Sequence, residues 1–142
     1  AGHEFLPMAK QLGMGIVIGW PLQQRGLSAR HDEEVQNGPA WMSPPRRAQL
    51  LALYAFLDEI DMSLPEISLR FVLSNPDISC TLMGARSQEE VELNFAAAEW
   101  GPLAPEILQC LGEIEQMVPF RPKEEPACLP LGRNYGGLGP AR

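Results

Sequence analysis

The chain has 142 residues, of which 45% are apolar and 20% charged, and its formal charge is −7. These values describe one globular domain that is long enough to bury a core. No stretch approaches the roughly 18 consecutive apolar residues of a membrane span, and the N-terminus lacks the basic-then-apolar pattern of a signal peptide. We therefore expect a cytoplasmic protein with no membrane partner.

The charge balance argues against a nucleic-acid-binding protein, and the cysteines argue against a protein held by disulfides or a metal. Eleven Lys and Arg stand against eighteen Asp and Glu, with no dense basic block, so nucleic acid is not an expected partner. The three cysteines, Cys80, Cys110 and Cys128, are widely spaced and form no Cys-x-x-Cys or His-containing pattern. This spacing predicts reduced thiols and neither a disulfide framework nor a metal site.

The first third of the chain predicts a short helix, a strand and a long loop. Apolar residues from Phe5 to Leu12 recur at helical spacing, and Gly13 follows where a helix end favours positive φ. The β-branched run in residues 15–21 predicts a strand buried on both faces. Residues 22–45 are polar and rich in Gly and Pro, which favours a long loop that could serve as a lid.

The middle of the chain predicts two consecutive helices. Pro44 and Pro45 open the first, whose apolar face runs to Ile60, because proline is tolerated in the first helical turn. The sequence Ser63-Leu64-Pro65-Glu66 is typical of a capping box and predicts a second helix that stops before residues 75–76, Asn-Pro.

A second strand and two more helices follow, before a tail. Residues 79–83 predict a strand that ends at Gly84, and Ser87-Gln88-Glu89-Glu90 is a further capping box for a helix that Gly101 ends. Residues 105–117 have the spacing of an amphipathic helix. Residues 118–142 hold five prolines and four glycines, and we expect an extended or partly disordered tail.

The alternation of strands and helices predicts a parallel sheet of the α/β class. Two parallel strands alone leave open edges, and a complete (β/α)8 TIM barrel takes about 250 residues. The chain also begins with Ala1 inside a helical pattern. We therefore expect a part of a larger α/β fold.

Residues 82–94 form the sharpest local motif. A strand passes through Gly84 into a helix N-terminus, with Arg86 at the turn. The N–H groups and dipole of a helix start favour a phosphate, Gly84 lets a ligand approach the backbone, and the Arg86 guanidinium can bind a phosphate with two hydrogen bonds. The alternative is an ordinary strand–helix junction in which Arg86 is a surface cation.

This motif resembles the end of the aldo-keto reductases, NAD(P)H-dependent oxidoreductases built on a (β/α)8 barrel. The likeness lies in the apolar strand, in Gly84-Ala85-Arg86, and in Asn94, eight residues after the arginine. Residues 69–76 are similar to the preceding family helix, and residues 16–28 to the penultimate strand and its exit. The loop at residues 37–41 resembles the branch that oxidises L-galactose and related aldoses.

The resemblance implies a partial TIM barrel over residues 1–117, about the last two βα units and the closing helices, followed by the tail 118–142. It places cofactor-binding residues on the second strand and its helix. Met83, Gly84 and Arg86 would lie along the 2′-phosphate of NADP, Glu90 near the ribose in place of a frequent Gln, and Asn94 at the adenine. Leu93 departs from the family, since many members have a Glu there that contacts the adenine amine.

At the first strand the resemblance involves Trp20, Pro21 and Leu22. Trp20 is the best candidate for the aromatic residue that stacks on the nicotinamide, because a flat ring offers a matching face. The alignment also allows Gly19 at this position. The alternative for Trp20 is a tryptophan that caps the core at a barrel rim.

The catalytic residues of the family are absent from this stretch. Hydride transfer in aldo-keto reductases relies on a Tyr, a Lys, an Asp and a His on earlier strands. Here Tyr54 is expected in a helix, as a core or a surface tyrosine, and His31 with the acids after it on a solvated loop. We therefore expect no catalytic residues in this chain.

We expect the C-terminal portion of an oxidoreductase that uses NADP(H), with NAD as the alternative, and acts in its full-length parent on a sugar or another carbonyl substrate. Two other interpretations stay open. One is a non-catalytic NADP-binding module, and the other is a structural fragment that self-associates through its open strand edges.

Overall fold

The structure is a computed structural model that describes residues 5–22, 26–39 and 42–118. The predicted tail lies outside the described residues except for Val118. Within the described ranges the chain forms helices and strands in this order: α1 (Phe5–Gln11), β1 (Val17–Gly19), α2 (Asp32–Asn37), α3 (Pro44–Ile60), α4 (Leu64–Leu73), β2 (Cys80–Leu82), α5 (Gln88–Glu99) and α6 (Pro105–Gln116).

The two strands pair in parallel, as the alternation of strands and helices predicts. The Thr81 hydroxyl donates to the Ile18 carbonyl at 3.2 Å, and Ser79 Oγ accepts the Ile16 N–H at 3.0 Å. The first bond supplements the central pair of the short ladder, and the second lies just before its first pair. The register pairs Val17 with Cys80, Ile18 with Thr81 and Gly19 with Leu82.

The prediction of a first strand buried on both faces is wrong. β1 has only three residues, and its Val17 is 57% exposed. Leu82 of β2, which lies on the same face of the sheet, is 61% exposed. The opposite face is half-buried through Ile18 and Thr81. Helix α4 packs against β2. Among the described residues no element covers the face that carries Val17 and Leu82, and no third strand extends the sheet, so this face stays open.

The prediction of a loop throughout residues 22–45 is also wrong, because α2 lies within it. Val35 of α2 is 1% exposed and belongs to the core, and Gly38 ends the helix with φ 62°. The Arg47 guanidinium of α3 donates to the Val35 carbonyl at 2.8 Å. One buried valine and one arginine from the next helix therefore stabilise a helix that has no apolar periodicity.

The core lies among the helices rather than beside the sheet. Its centre is where α3 meets α2, α4 and the segment before α6, and Leu57 and Val35 are among its most deeply buried side chains. Tyr54 is buried there, so it takes the core position rather than the surface position that the sequence also allows. The connected cluster consists of Val35, Met42, Tyr54, Leu57, Leu64, Ile67 and Leu103.

The predicted helix starts and ends follow the expected chemistry. Ser43 Oγ accepts the Arg46 N–H at 3.3 Å, and Ser63 Oγ accepts the Glu66 N–H at 3.3 Å. After the C-terminal end of α1, Gly13 has φ 69°, and its N–H donates to the Lys10 carbonyl at 2.9 Å. Serine caps and a left-handed glycine thus set these boundaries.

The Arg70 guanidinium connects α4 to the turn between α5 and α6. It donates to Glu66 Oε1 at 2.9 Å and to the carbonyls of Gly101 and Pro102 at 3.0 and 3.3 Å. The side chain is 15% exposed, so these bonds lie in a partly desolvated environment. They fix the C-terminal end of α5 against α4.

Candidate functional site

The carboxyl ends of β1 and β2 lie at the same edge of the sheet. Gly19 pairs with Leu82 at the end of the parallel ladder, so Trp20 and Met83 leave the sheet side by side. In α/β folds with parallel strands this edge is where ligands bind. The pairing therefore brings together the two segments in which the family resemblance predicts cofactor-binding residues.

The turn between β2 and α5 offers open space at its surface. Met83 is half-buried and Gly84 exposed, and a Cβ added to Gly84 would meet no atom within 4 Å. Ser87 begins α5, and its Oγ accepts the Glu90 N–H at 3.2 Å, which confirms the predicted helix start. The positive end of the α5 dipole thus lies next to an uncovered stretch of backbone.

Arg86 and Glu90 contact each other across the first turn of α5. Glu90 Oε2 accepts the backbone N–H of Arg86 at 2.7 Å, and Glu90 Oε1 lies 3.6 Å from Arg86 Nη2. The Arg86 side chain is 79% exposed. The carboxylate of Glu90 therefore meets the same cation and the same turn that would receive a phosphate.

A second carboxylate lies in the same turn. A hydrogen bond from the Ser87 hydroxyl lowers the pKa of Glu89 below its ordinary value, so this group is ionised at neutral pH. Glu89 is in the first turn of α5, where a negative charge complements the helix dipole. An incoming anion would meet this charge as well as the donors.

Further along α5, Asn94 lies one turn after Glu90 on the same helix face. Both Asn94 and its neighbour Leu93 are half-buried. The chain thus places a guanidinium, a carboxylate and a carboxamide at intervals of four residues from the turn along α5.

Trp20 lies at the end of β1 with its side chain uncovered. It is 75% exposed and has φ 56°, a left-handed conformation that is strained for a bulky residue. Pro21 and Leu22 form a half-buried turn after it. Trp20 therefore does not pack into the core of the described residues, and its indole face is accessible.

The structure also contains a polar cluster that the sequence analysis missed. The Arg30 guanidinium lies over the Tyr54 ring at 4.7 Å from the ring centroid and pairs with Asp32 and Asp58. These two carboxylates raise the pKa of Arg30, and the Arg30 guanidinium lowers the pKa of Asp32. The Tyr54 hydroxyl accepts the His31 N–H at 3.1 Å.

This cluster connects the start of α2 to α3 rather than forming part of the sheet edge. Burial raises the pKa of Tyr54, which keeps its phenol neutral. His31, Asp32 and their neighbours line an open cavity of about 610 Å³. No sequence pattern predicts the cluster, because Arg30 and Asp58 are 28 residues apart and meet only after α3 has packed.

The described residues contain neither a helix suited to cross a membrane nor a cluster of side chains placed to hold a metal ion. No helix in residues 5–22, 26–39 or 42–118 is both long and apolar enough to cross a membrane. The same ranges contain no cluster of three or more His, Cys, Asp or Glu side chains placed to hold a metal ion. Cys80 and Cys110 are free, and Cys128 lies outside the described residues.

Comparison with known proteins shows the family. The profile of the Aldo/keto reductase family matches residues 1–116. The chain therefore belongs to the aldo/keto reductase family, as the resemblance of residues 82–94 implies.

Three relatives illustrate the range of this similarity. The chain is 24% identical to a putative voltage-gated potassium channel subunit beta of Schizosaccharomyces pombe, over 82% of this chain and 38% of that protein. It is 23% identical to a probable voltage-gated potassium channel subunit beta of Arabidopsis thaliana, over 84% of this chain and 40% of that protein. It is 29% identical to L-galactose dehydrogenase of Arabidopsis thaliana, over 66% of this chain and 28% of that protein.

The chain thus spans about two fifths or less of the length of these relatives. Similarity to L-galactose dehydrogenase agrees with the resemblance of residues 37–41 to the aldose branch, although residues 40 and 41 lie outside the described residues. The channel-subunit relatives are not anticipated by the sequence analysis.

Proposed function

We propose that this chain is the C-terminal portion of an aldo/keto reductase barrel and carries the adenosine-phosphate half of its NAD(P)H site. Family membership and the parallel pairing of β1 with β2 support this placement, because consecutive strands of a (β/α)8 barrel pair in parallel. The chain would supply about the last two βα units, with the cofactor across their carboxyl edge.

The observation that carries the proposal is the position of Arg86. Its exposed guanidinium stands at the start of α5, beside the open backbone of Gly84, where this cation and the helix dipole both attract a phosphate. The residues present therefore fit the cofactor. Met83, Gly84 and Arg86 would hold the 2′-phosphate of NADP, Glu90 the ribose, Asn94 the adenine, and Trp20 with Pro21 and Leu22 the nicotinamide side.

When bound, the nicotinamide dinucleotide supplies a hydride for reduction of a carbonyl group. The residues of this chain bind and orient the cofactor but do not move the proton. Tyr54 is buried, and its hydroxyl accepts the His31 N–H, so it is not placed to act as the acid. The parent protein would be an oxidoreductase, and this chain alone would bind cofactor without turnover.

For the parent, we propose an aldose or a related carbonyl compound as substrate. The similarity to L-galactose dehydrogenase supports this class. The substrate itself is contacted mainly by loops of the remaining barrel, so the proposal for this chain concerns the cofactor.

The test is titration of the 142-residue chain with NADPH and NADH, followed by cofactor fluorescence. Arg86→Ala should weaken NADPH binding about tenfold or more, because a charge-assisted contact to phosphate is lost, and should leave NADH binding nearly unchanged. Arg46→Ala, at the start of α3, is the control for loss of a positive charge. Equal NADPH affinity of the Arg86→Ala and unmodified chains would contradict the proposal.

A second candidate function is self-association, favoured by the open face of the sheet. Val17 and Leu82 lie exposed on that face, and the described residues place no strand beside either edge. Sedimentation of the chain over a range of concentrations should then show a dimer that Leu82→Lys dissociates. A monomer at every concentration would count against this candidate.

A further inference from the structure

The contact between Glu90 and Arg86 bears on which cofactor the site accepts. Glu90 Oε2 accepts the Arg86 backbone N–H at 2.7 Å, and Glu90 Oε1 lies 3.6 Å from the Arg86 guanidinium. Both donors belong to the residue that would bind a 2′-phosphate. The chain therefore already presents its own carboxylate to these donors before any cofactor arrives.

The charges around this contact disfavour a dianion. Between Met83 and Asn94 the chain has three carboxylates, Glu89, Glu90 and Glu92, against the one guanidinium of Arg86. A 2′-phosphate at Arg86 must either displace the Glu90 carboxylate or lie beside it, and like charges in contact repel. A 2′-hydroxyl carries no charge and can donate a hydrogen bond to a carboxylate, as acidic residues accept from the ribose of NAD in other dinucleotide sites.

We propose that Glu90 determines cofactor preference in this chain, by competing with the 2′-phosphate of NADP(H) for Arg86 and by accepting a hydrogen bond from the 2′-hydroxyl of NAD(H). This inference rests on the proposed function. It names Glu90 as the residue that reduces the preference for NADPH that Arg86 alone would produce.

The substitution Glu90→Gln isolates the charge. A glutamine oxygen can still accept the Arg86 backbone N–H, so the start of α5 keeps its hydrogen bond while the negative charge is removed. Glu92→Gln is the matched control, since it removes the same charge from the same helix. The Glu92 carboxylate is directed to Gln88, at 2.7 Å, and not to Arg86.

The experiment is calorimetric titration of the unmodified chain and both variants with NADPH and with NADH, with circular dichroism as the check on folding. Glu90→Gln should bind NADPH about fivefold more tightly or better, since an unfavourable charge contact is removed, and should bind NADH no more tightly than the unmodified chain. Glu92→Gln should change NADPH affinity less than twofold.

Two results would overturn the inference. If Glu90→Gln changes the affinities for both cofactors equally, or changes neither, Glu90 does not discriminate between them while the proposed function stands. If neither cofactor binds any of the folded proteins, the proposed function fails and this inference fails with it.

Discussion

The carboxylate of Glu90 lies 2.7 Å from the backbone nitrogen of Arg86 and accepts its hydrogen bond. In an ordinary capping box the glutamate at this position bonds back to the N-cap residue, which here is Ser87. Glu90 instead reaches one residue further, to the turn. The start of α5 is therefore stabilised by the same carboxylate that meets the exposed cation of the candidate site.

We predict that Gly84→Ala reduces cofactor affinity without reducing stability. A Cβ at this position meets no atom within 4 Å, so the folded chain has room for it. A ligand that lies against the backbone would meet the added methyl group, and NADPH affinity should fall at least threefold. Thermal unfolding and NADPH titration measure the two effects separately. An unchanged affinity would show that no ligand approaches this backbone closely.

We predict that cofactor binding quenches the fluorescence of Trp20. Its indole is 75% exposed at the edge where β1 ends, so a nicotinamide ring can stack on it. Quenching by NADPH should be largely lost in Trp20→Phe and retained in Trp100→Phe, whose indole lies at the other end of α5. Equal quenching in both variants would place the nicotinamide elsewhere.

We predict that Leu57→Ala lowers the free energy of unfolding by about 2–5 kcal/mol, because it leaves a cavity in the helical core. Leu57 is 2% exposed. The same substitution at Leu82, on the open face of the sheet, should cost well under about 1 kcal/mol if the chain is monomeric. Urea unfolding of both variants provides the comparison, and similar losses would mean that the open face is covered in solution.

We predict that Arg70→Ala destabilises the chain by about 1–3 kcal/mol. The substitution leaves the Gly101 and Pro102 carbonyls without their donor and removes the partner of Glu66. Arg86→Ala, which removes an exposed guanidinium, should change stability by less than about 0.5 kcal/mol. Thermal unfolding of the two arginine variants tests the difference.

Tyr54 should make stability fall at alkaline pH. Burial raises the pKa of its phenol in the folded chain above the ordinary value. The unfolded chain loses the phenol proton first, near pH 10. The neutral Tyr54 phenol therefore contributes fully to stability below that pH, and this contribution declines as the pH rises towards the folded-state pKa. Tyr54→Phe should remove this alkaline decline.

The same variant loses the hydroxyl that accepts the His31 N–H, so at neutral pH it should be about 1 kcal/mol less stable. Urea unfolding at pH 7 and at pH 10 to 11 distinguishes the two effects. An identical alkaline decline in Tyr54→Phe and the unmodified chain would assign the decline to another group.

The sequence predicted the helices whose local signals are strong. Proline at the start of α3, serine caps before α4 and α5, and Gly13 after α1 each act within one turn of the chain. Such signals depend on backbone hydrogen bonds between near neighbours and need no tertiary contact. They explain why these boundaries could be located without a structure.

Features that depend on tertiary packing were not predictable. Helix α2 depends on the burial of Val35 and on a hydrogen bond from Arg47, twelve residues away. The exposure of Val17 depends on which elements cover the sheet, and a β-branched run is the same in a covered and an open strand. At the candidate site, local motif and family resemblance named Arg86 and Glu90, but only the structure shows that they contact each other.

The most direct test of the central claim is the binding of adenosine 2′,5′-bisphosphate, the half of NADP without nicotinamide, to the ¹⁵N-labelled 142-residue chain, followed by amide chemical shifts. If the chain carries the adenosine-phosphate site, saturable shifts should appear at the amides of residues 84–90 and 94 and should be lost in Arg86→Ala. A dispersed spectrum of a folded protein that does not change on addition of this ligand would contradict the claim.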